Sequence, residues 1–237
     1  MEFYRRLVVS LALVSGIAAG LLAATYRVTF PVIQVREREE RAKALKNIFF
    51  LGSFGGEGMT PREISDGVVA LHDPAAPEKP AYYAARGEAA GYNSASPIAL
   101  MVGFTASGLD ARDLLAGYVG ADRLPAAGER GHYIVGFSVL SSEETPGLGE
   151  RVKDRRPPFT WLQFVKGETP PPDPDTATSF QRQFRGRLPD NLLLKKRGGD
   201  LDAITASTIT STAVTAAIRD AGEKLAQALR AEPSTAE

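Results

Sequence analysis

The sequence predicts an α+β domain, a largely antiparallel sheet with flanking helices, behind one membrane-spanning helix. Three observations carry this expectation. Residues 7–26, LVVSLALVSGIAAGLLAATY, run for twenty positions without a charge. Between residues 67 and 140, four apolar runs rich in β-branched and aromatic residues alternate with turn residues. Beyond them Val214, Ala217, Ile218, Ala221, Leu225 and Leu229 recur at three- and four-residue steps, as on an amphipathic helix over about 210–230. Strands first, a helix last and short connections between strands suit an α+β arrangement.

Composition narrows the function classes. The 237 residues are 43% hydrophobic and 24% charged, which is ordinary for a globular chain. Equal numbers of acidic and basic residues give zero net charge, so no general attraction to nucleic acid is expected. The absence of cysteine excludes disulfides, thiol nucleophiles and cysteine-held metal clusters. The two histidines, His72 and His132, lie far apart without a carboxylate at metal spacing, and His132 reads as part of a strand.

Each element follows from its residues. At about 1.5 Å per residue, residues 7–26 span roughly 30 Å, the thickness of a hydrocarbon core. The run is longer than the apolar region of a cleaved signal and reads as an uncleaved anchor. Arg5 and Arg6 precede it, while Arg27, Arg36 and Arg38 follow, so charge does not set its orientation. Gly16 and Gly20 make a weak GxxxG packing signal. QVREREERAKALKNIFF (34–50) is rich in helix formers and reads as a stalk, with Leu45, Ile48, Phe49 and Phe50 packing on the domain. GSFGGEG (52–58) lacks the spacing and lysine of a phosphate-binding loop and reads as a turn. Strands are expected at 67–71, 81–85, 97–105, 132–140 and, more briefly, at NLLLKK (191–196). Residues 109–119 suggest a short helical insertion, and the proline-rich 167–179 a loop. The expected organisation is a tail (1–6), a transmembrane helix (7–26), a juxtamembrane stalk (27–50), an extracytosolic domain (51–232) and a tail (233–237).

Two stretches carry chemistry. DAITASTITSTAV (202–214) holds six hydroxyl residues in thirteen. One or two suffice to cap a helix, a contribution of about 0.5–2 kcal/mol. A strand–turn–helix junction also offers free amides and the positive end of a helix dipole, which suit a phosphate. From the residues alone the cluster is either a cap or an attachment point. No GxSxG arrangement accompanies it, so serine-hydrolase chemistry is not expected. The second stretch is ETPGLG (144–149), where proline stiffens a loop and two glycines allow close approach of a ligand.

Together these stretches resemble the FMN-binding domain family. It is found in the G subunit of Rnf electron-transport complexes and in the C subunit of sodium-translocating NADH:quinone reductase. The family's segment resembles DAI(S/T)GATxTSxAV and receives FMN as a phosphoester on the threonine of GAT. Asp202, Ala203, Ile204, Thr205, Ile209, Thr210, Ser211, Ala213 and Val214 match, and Thr208 falls on the modified threonine. LKKRGGDL before it, ETPGLG (144–149) and GYNSASPIALMVGF (91–104) are similar to family segments as well. Ala206-Ser207 stands where the family has Gly-Ala, and the segments 109–131 and 167–178 lengthen the usual spacing.

The resemblance implies a covalent FMN on Thr208, with Thr205, Thr210 and Ser211 shaping the turn and its phosphate contacts. Ser207 adds a neighbouring hydroxyl, and Asp202 is expected to orient the threonine or a metal of the modifying enzyme. Glu144, Thr145, Pro146, Gly147, Leu148 and Gly149 would lie by the flavin. Pro146 and Leu148 would pack on the ring, and the backbone at Gly147 and Gly149 would bond its edge. The implied partners are the other subunits of an Rnf-type ion-translocating complex and, transiently, a flavin transferase that uses FAD and magnesium. The implied location is the bacterial inner membrane, single-pass, with the C-terminal domain on the periplasmic side. No catalytic residues of the chain's own and no metal ligands are expected. Two other readings fit the same residues: a scaffold subunit without flavin, or an FMN carrier of a different extracytosolic electron-transfer chain.

Overall fold

The computed structural model describes residues 2–49, 59–74, 76–92, 96–106, 112, 115, 119, 124–126, 129–144, 146–155, 166 and 177–231. It divides into two compact units, Met1–Ala42 and Lys43–Glu237.

Helix α1, Glu2–Phe49, supplies the first unit and the opening residues of the second. The expected membrane run and stalk are one helix, with Pro31 inside it. Its most apolar stretch has a mean hydropathy of 2.4, long and apolar enough to cross a membrane. Polar groups along it are satisfied internally: the hydroxyls of Ser10, Thr25 and Thr29 donate to the carbonyls of Leu7, Leu21 and Thr25 at 2.8–3.0 Å.

The second unit is an antiparallel meander. Strands β1 (Thr60–Ser65), β2 (Val68–Asp73), β3 (Ala76–Ala89), β4 (Ile98–Thr105) and β5 (Ile134–Ser141) pair in chain order. Four of the expected strands are thus present. NLLLKK is not a strand: only Leu194 bridges, to Leu201, and Lys195–Arg197 forms a 3-10 turn. β1 had no apolar signal because TPREIS is an almost wholly exposed edge, where proline and charges are the usual residues.

The central strands are apolar on both faces because both are covered. Towards one face, Tyr83, Ala85, Leu100, Val102, Phe104 and Ile134 pack with Val214, Ala217, Ile218, Ala221 and Leu225. These last belong to helix α2, Thr208–Ala231, the expected C-terminal helix. On the other face Tyr82, Ala84, Met101 and Val135 pack with Ala44, Ile48 and Phe49 from the end of α1. Leu45 joins that face only partly buried, and Phe50 lies outside the described residues, as do 52–58 and most of the 109–119 and 167–179 segments.

Glycines let both helices approach. Gly103 and Gly136 face each other across β4 and β5, and a Cβ on Gly103 would come within 2.4 Å of Ile48. On the opposite face a Cβ on Gly87 would come within 1.9 Å of the Ala217 carbonyl oxygen, a backbone atom that cannot swing aside. Gly87→Ala is therefore expected to cost about 1–3 kcal/mol as α2 is pushed off the sheet. A melting temperature equal to the parent's would contradict this packing.

Candidate functional site

The site is assembled by the segment leading into α2. Residues 193–201 fold back on themselves: the Leu201 amide donates to the Leu193 carbonyl at 3.1 Å, and the Lys195 amide to the Leu201 carbonyl at 2.8 Å. Gly198 has φ 82°, and a Cβ on Gly199 would come within 2.1 Å of the Leu193 carbonyl oxygen. RGGD is therefore a conformational requirement of this knot. The knot aims two neighbouring lysines. Lys195 Nζ pairs with Asp202 at 2.7 Å, and Lys196 Nζ donates to Thr208 Oγ1 at 3.0 Å. The Gln183 side chain clasps the backbone of Asp202, accepting from its amide at 2.7 Å and donating to its carbonyl at 2.8 Å.

A tight turn then links Asp202 to the helix. The Ser207 amide donates to the Ile204 carbonyl at 3.0 Å, and Ala206 between them has φ 63°, the single non-glycine positive φ among the described residues. The family resemblance has glycine at this position, and the turn's geometry explains why. Ser211 Oγ fastens the turn to α2, accepting from the Ile204 amide at 2.9 Å and donating to the Ser207 carbonyl at 2.8 Å. The first amides of α2, from Thr208 onward, have no acceptor within the helix and leave this end electropositive.

Glu144 joins the hydroxyl-rich stretch to the glycine-tight loop. Its carboxylate is buried; Oε2 accepts from the Thr210 hydroxyl at 2.6 Å, and Oε1 from the Tyr92 amide at 3.0 Å. Gly149 makes room, since a Cβ there would lie 2.7 Å from both Glu144 Oε2 and Thr210 Oγ1. Between the segments lies a cleft of about 450 Å³, lined by Tyr92, Glu144, Leu148, Gly149 and residues 206–210. That volume is within the range of ligand sites, roughly 300–1,000 Å³. Its rim carries three exposed apolar side chains, Tyr92, Leu148 and Ile209. Ser207 also lines it, and its hydroxyl is buried without a partner among the described residues. An unsatisfied hydroxyl, an electropositive helix end and an apolar rim fit a ligand with a phosphate and a flat apolar ring.

The structure brings Glu144, Leu148 and Gly149 to Ser207, Thr208 and Thr210. Pro146 and Gly147 are exposed and do not line the cleft, and Thr145 lies outside the described residues. Asp202 and Thr205 face a second cleft of about 460 Å³, on the other flank of the turn, with Arg151, Asp154 and Phe180. Ser211 is fully buried and its hydroxyl is used inside the turn, so its role there is to shape the turn and not to meet a ligand. Tyr92 and Lys196 join the site without having been expected there. The only sequence signal for either is its presence in a segment resembling the family.

Comparison with known proteins agrees with this geometry. Residues 118–223 match the FMN-binding domain family, a range that contains β5, Glu144–Gly149 and Thr208. The chain is similar to several proteins named as the G subunit of an ion-translocating oxidoreductase complex. The one from Salmonella typhi is 33% identical over 106 residues, 45% of this chain and 44% of that protein, so the match spans less than half of that relative. The one from Methanosarcina acetivorans is 26% identical over 226 residues, 91% of each. The one from Shewanella baltica is 26% identical over 215 residues, 89% of this chain and 84% of the relative.

Two outcomes follow from the turn and the buried carboxylate. Ala206→Gly relieves a left-handed alanine, which costs about 1–2 kcal/mol, but gains chain entropy when unfolded. A net gain of up to about 1 kcal/mol is expected, and a lowered urea midpoint would mean that the turn is not held this way in solution. Glu144→Ala strands the Tyr92 amide and the Thr210 hydroxyl and is expected to cost on the order of 2 kcal/mol. An unchanged urea midpoint would rule out that tie.

Proposed function

We propose that the chain is a membrane-anchored flavoprotein subunit that carries FMN on Thr208 through a phosphoester and relays electrons within an Rnf-type ion-translocating complex. The observation that carries this reading is the Thr208 hydroxyl on the first turn of α2, at a cleft walled by Glu144, Leu148 and Gly149. The first amides of α2 would bond the phosphate oxygens, and Tyr92, Leu148 and Ile209 would cover the flat ring. Ser207 would offer its unpartnered hydroxyl to a polar edge of the ligand. When bound, FMN supplies reversible electron transfer, and the surrounding contacts set its potential. The chain itself needs no acid, base or nucleophile for that task.

Attachment requires one transfer. Thr208 Oγ1 gives up its proton and forms a bond to the FMN-side phosphorus of FAD, while the pyrophosphate bond breaks and AMP leaves. A separate flavin transferase with magnesium would carry this out, the metal offsetting the charge on the pyrophosphate. Asp202 sits beside the turn but is held by Lys195 and Gln183, which suits fixing the segment's shape. A covalent link keeps the cofactor from diffusing away on the outer side of the bacterial cytoplasmic membrane. Helix α1 would be the single-pass anchor, with residues 27–50 as stalk and 51–232 as the extracytosolic domain. The complex, the outer side and the electron-relay role rest on likeness to the G subunits.

The test is intact mass with in-gel flavin fluorescence after co-production with the transferase. The parent is expected to gain one FMN less water on the peptide containing Thr208. Thr208→Val is expected to lose both the mass gain and the fluorescence while melting at the parent's temperature. Full covalent flavin on Thr208→Val would overturn the assignment.

A further inference from the structure

Lys195 and Lys196 are adjacent, yet the knot at 193–201 gives them different tasks. Lys195 is committed to Asp202 at 2.7 Å. Lys196 has no ion pair among the described residues, and its ammonium donates to Thr208 Oγ1 at 3.0 Å. A neutral hydroxyl is a modest partner for a full positive charge. The same oxygen, once esterified, bears a phosphodiester with one negative charge. That charge would arrive in a cleft whose wall already holds the buried carboxyl group of Glu144. The helix end offsets part of it, about half an elementary charge. A cation within hydrogen-bonding distance of the ester oxygen offsets the rest. The Ser207 hydroxyl in the same cleft is buried without a partner among the described residues, a second polar group there that a ligand would satisfy.

We propose that Lys196 is the positioning cation of the flavin phosphate: it holds the Thr208 hydroxyl before attachment and pairs with the phosphodiester afterwards. This rests on Thr208 being the attachment point. Lys196 takes no proton and forms no bond in the transfer; its part is electrostatic.

Two readouts on the full-length chain in detergent test it. The first is the time course of covalent addition with transferase and FAD, followed by intact mass for the parent, Lys196→Met and Lys196→Arg. Lys196→Met is expected to slow addition on the order of fivefold, the size of an exposed charge pair, and Lys196→Arg to recover most of the rate. The second is the ³¹P resonance of the fully loaded proteins. The Lys196→Met signal should move towards that of a free phosphodiester, and the Lys196→Arg signal should return towards the parent's. Label on Thr208 at the parent rate in Lys196→Met would overturn the role of Lys196 alone. Slow labelling with an unmoved ³¹P signal would assign the lysine to transferase docking and overturn the proposal as well. A parent chain that takes no label at Thr208 would overturn both this proposal and the reading it rests on.

Discussion

The contact between Glu144 and Thr210 is what the site depends on. The first is in the loop after β5 and the second is on the first turn of α2, 66 positions apart in sequence. A buried carboxylate is tolerable only when its oxygens are partnered, and here one accepts a hydroxyl and the other a backbone amide. That second donor is Tyr92, from the connection between β3 and β4, so one side chain draws three segments to a single point. Remove it and the wall, the floor and part of the rim of the cleft lose their common anchor. Gly149 is the geometric condition for the contact, since any side chain there would stand between its two partners.

Around that tie the scaffold is rigid for a simple reason. A five-stranded sheet covered on both faces leaves its central strands no solvent side. The end of α1 and the length of α2 reach the sheet through positions where only glycine fits. The helix that carries Thr208 is therefore fixed against β3 and β4 along its buried stripe, and its first turn is presented in one orientation.

The crowding of hydroxyls also has a physical account. Thr210 is spent on Glu144 and Ser211 on the turn. Thr212 and Thr215 donate back to helix carbonyls of Thr208 and Thr212, which satisfies them locally. Thr205 stands exposed on the far flank. Thr208 and Ser207 also line the cleft, the first held by a lysine and the second with its hydroxyl buried and without a partner among the described residues. Most of the hydroxyls in this cluster are thus spent on shaping the turn and the helix end.

Much of this was legible in the sequence. The charge-free run marks a helix apolar on every side, the apolar strand runs reflect a sheet covered on both faces, and the three- and four-residue spacing of α2 reflects burial that repeats with the helical period. The two motifs were legible too, because a turn with a left-handed residue and a glycine-tight loop demand particular residues at particular places. Ala206 shows the limit of that signal: an alanine where the family has glycine becomes intelligible only at φ 63°. NLLLKK reads as a strand because leucines and lysines carry no mark distinguishing a strand from a compact knot, and β1 is silent because an exposed edge needs no apolar residues. What only the tertiary structure decided is which residues meet. The roles of Tyr92, Glu144 and Lys196 come from contacts between segments far apart in the chain or folded back on themselves. Local patterning cannot encode such contacts, because they are fixed by how the sheet and helices pack and not by the period of any one of them.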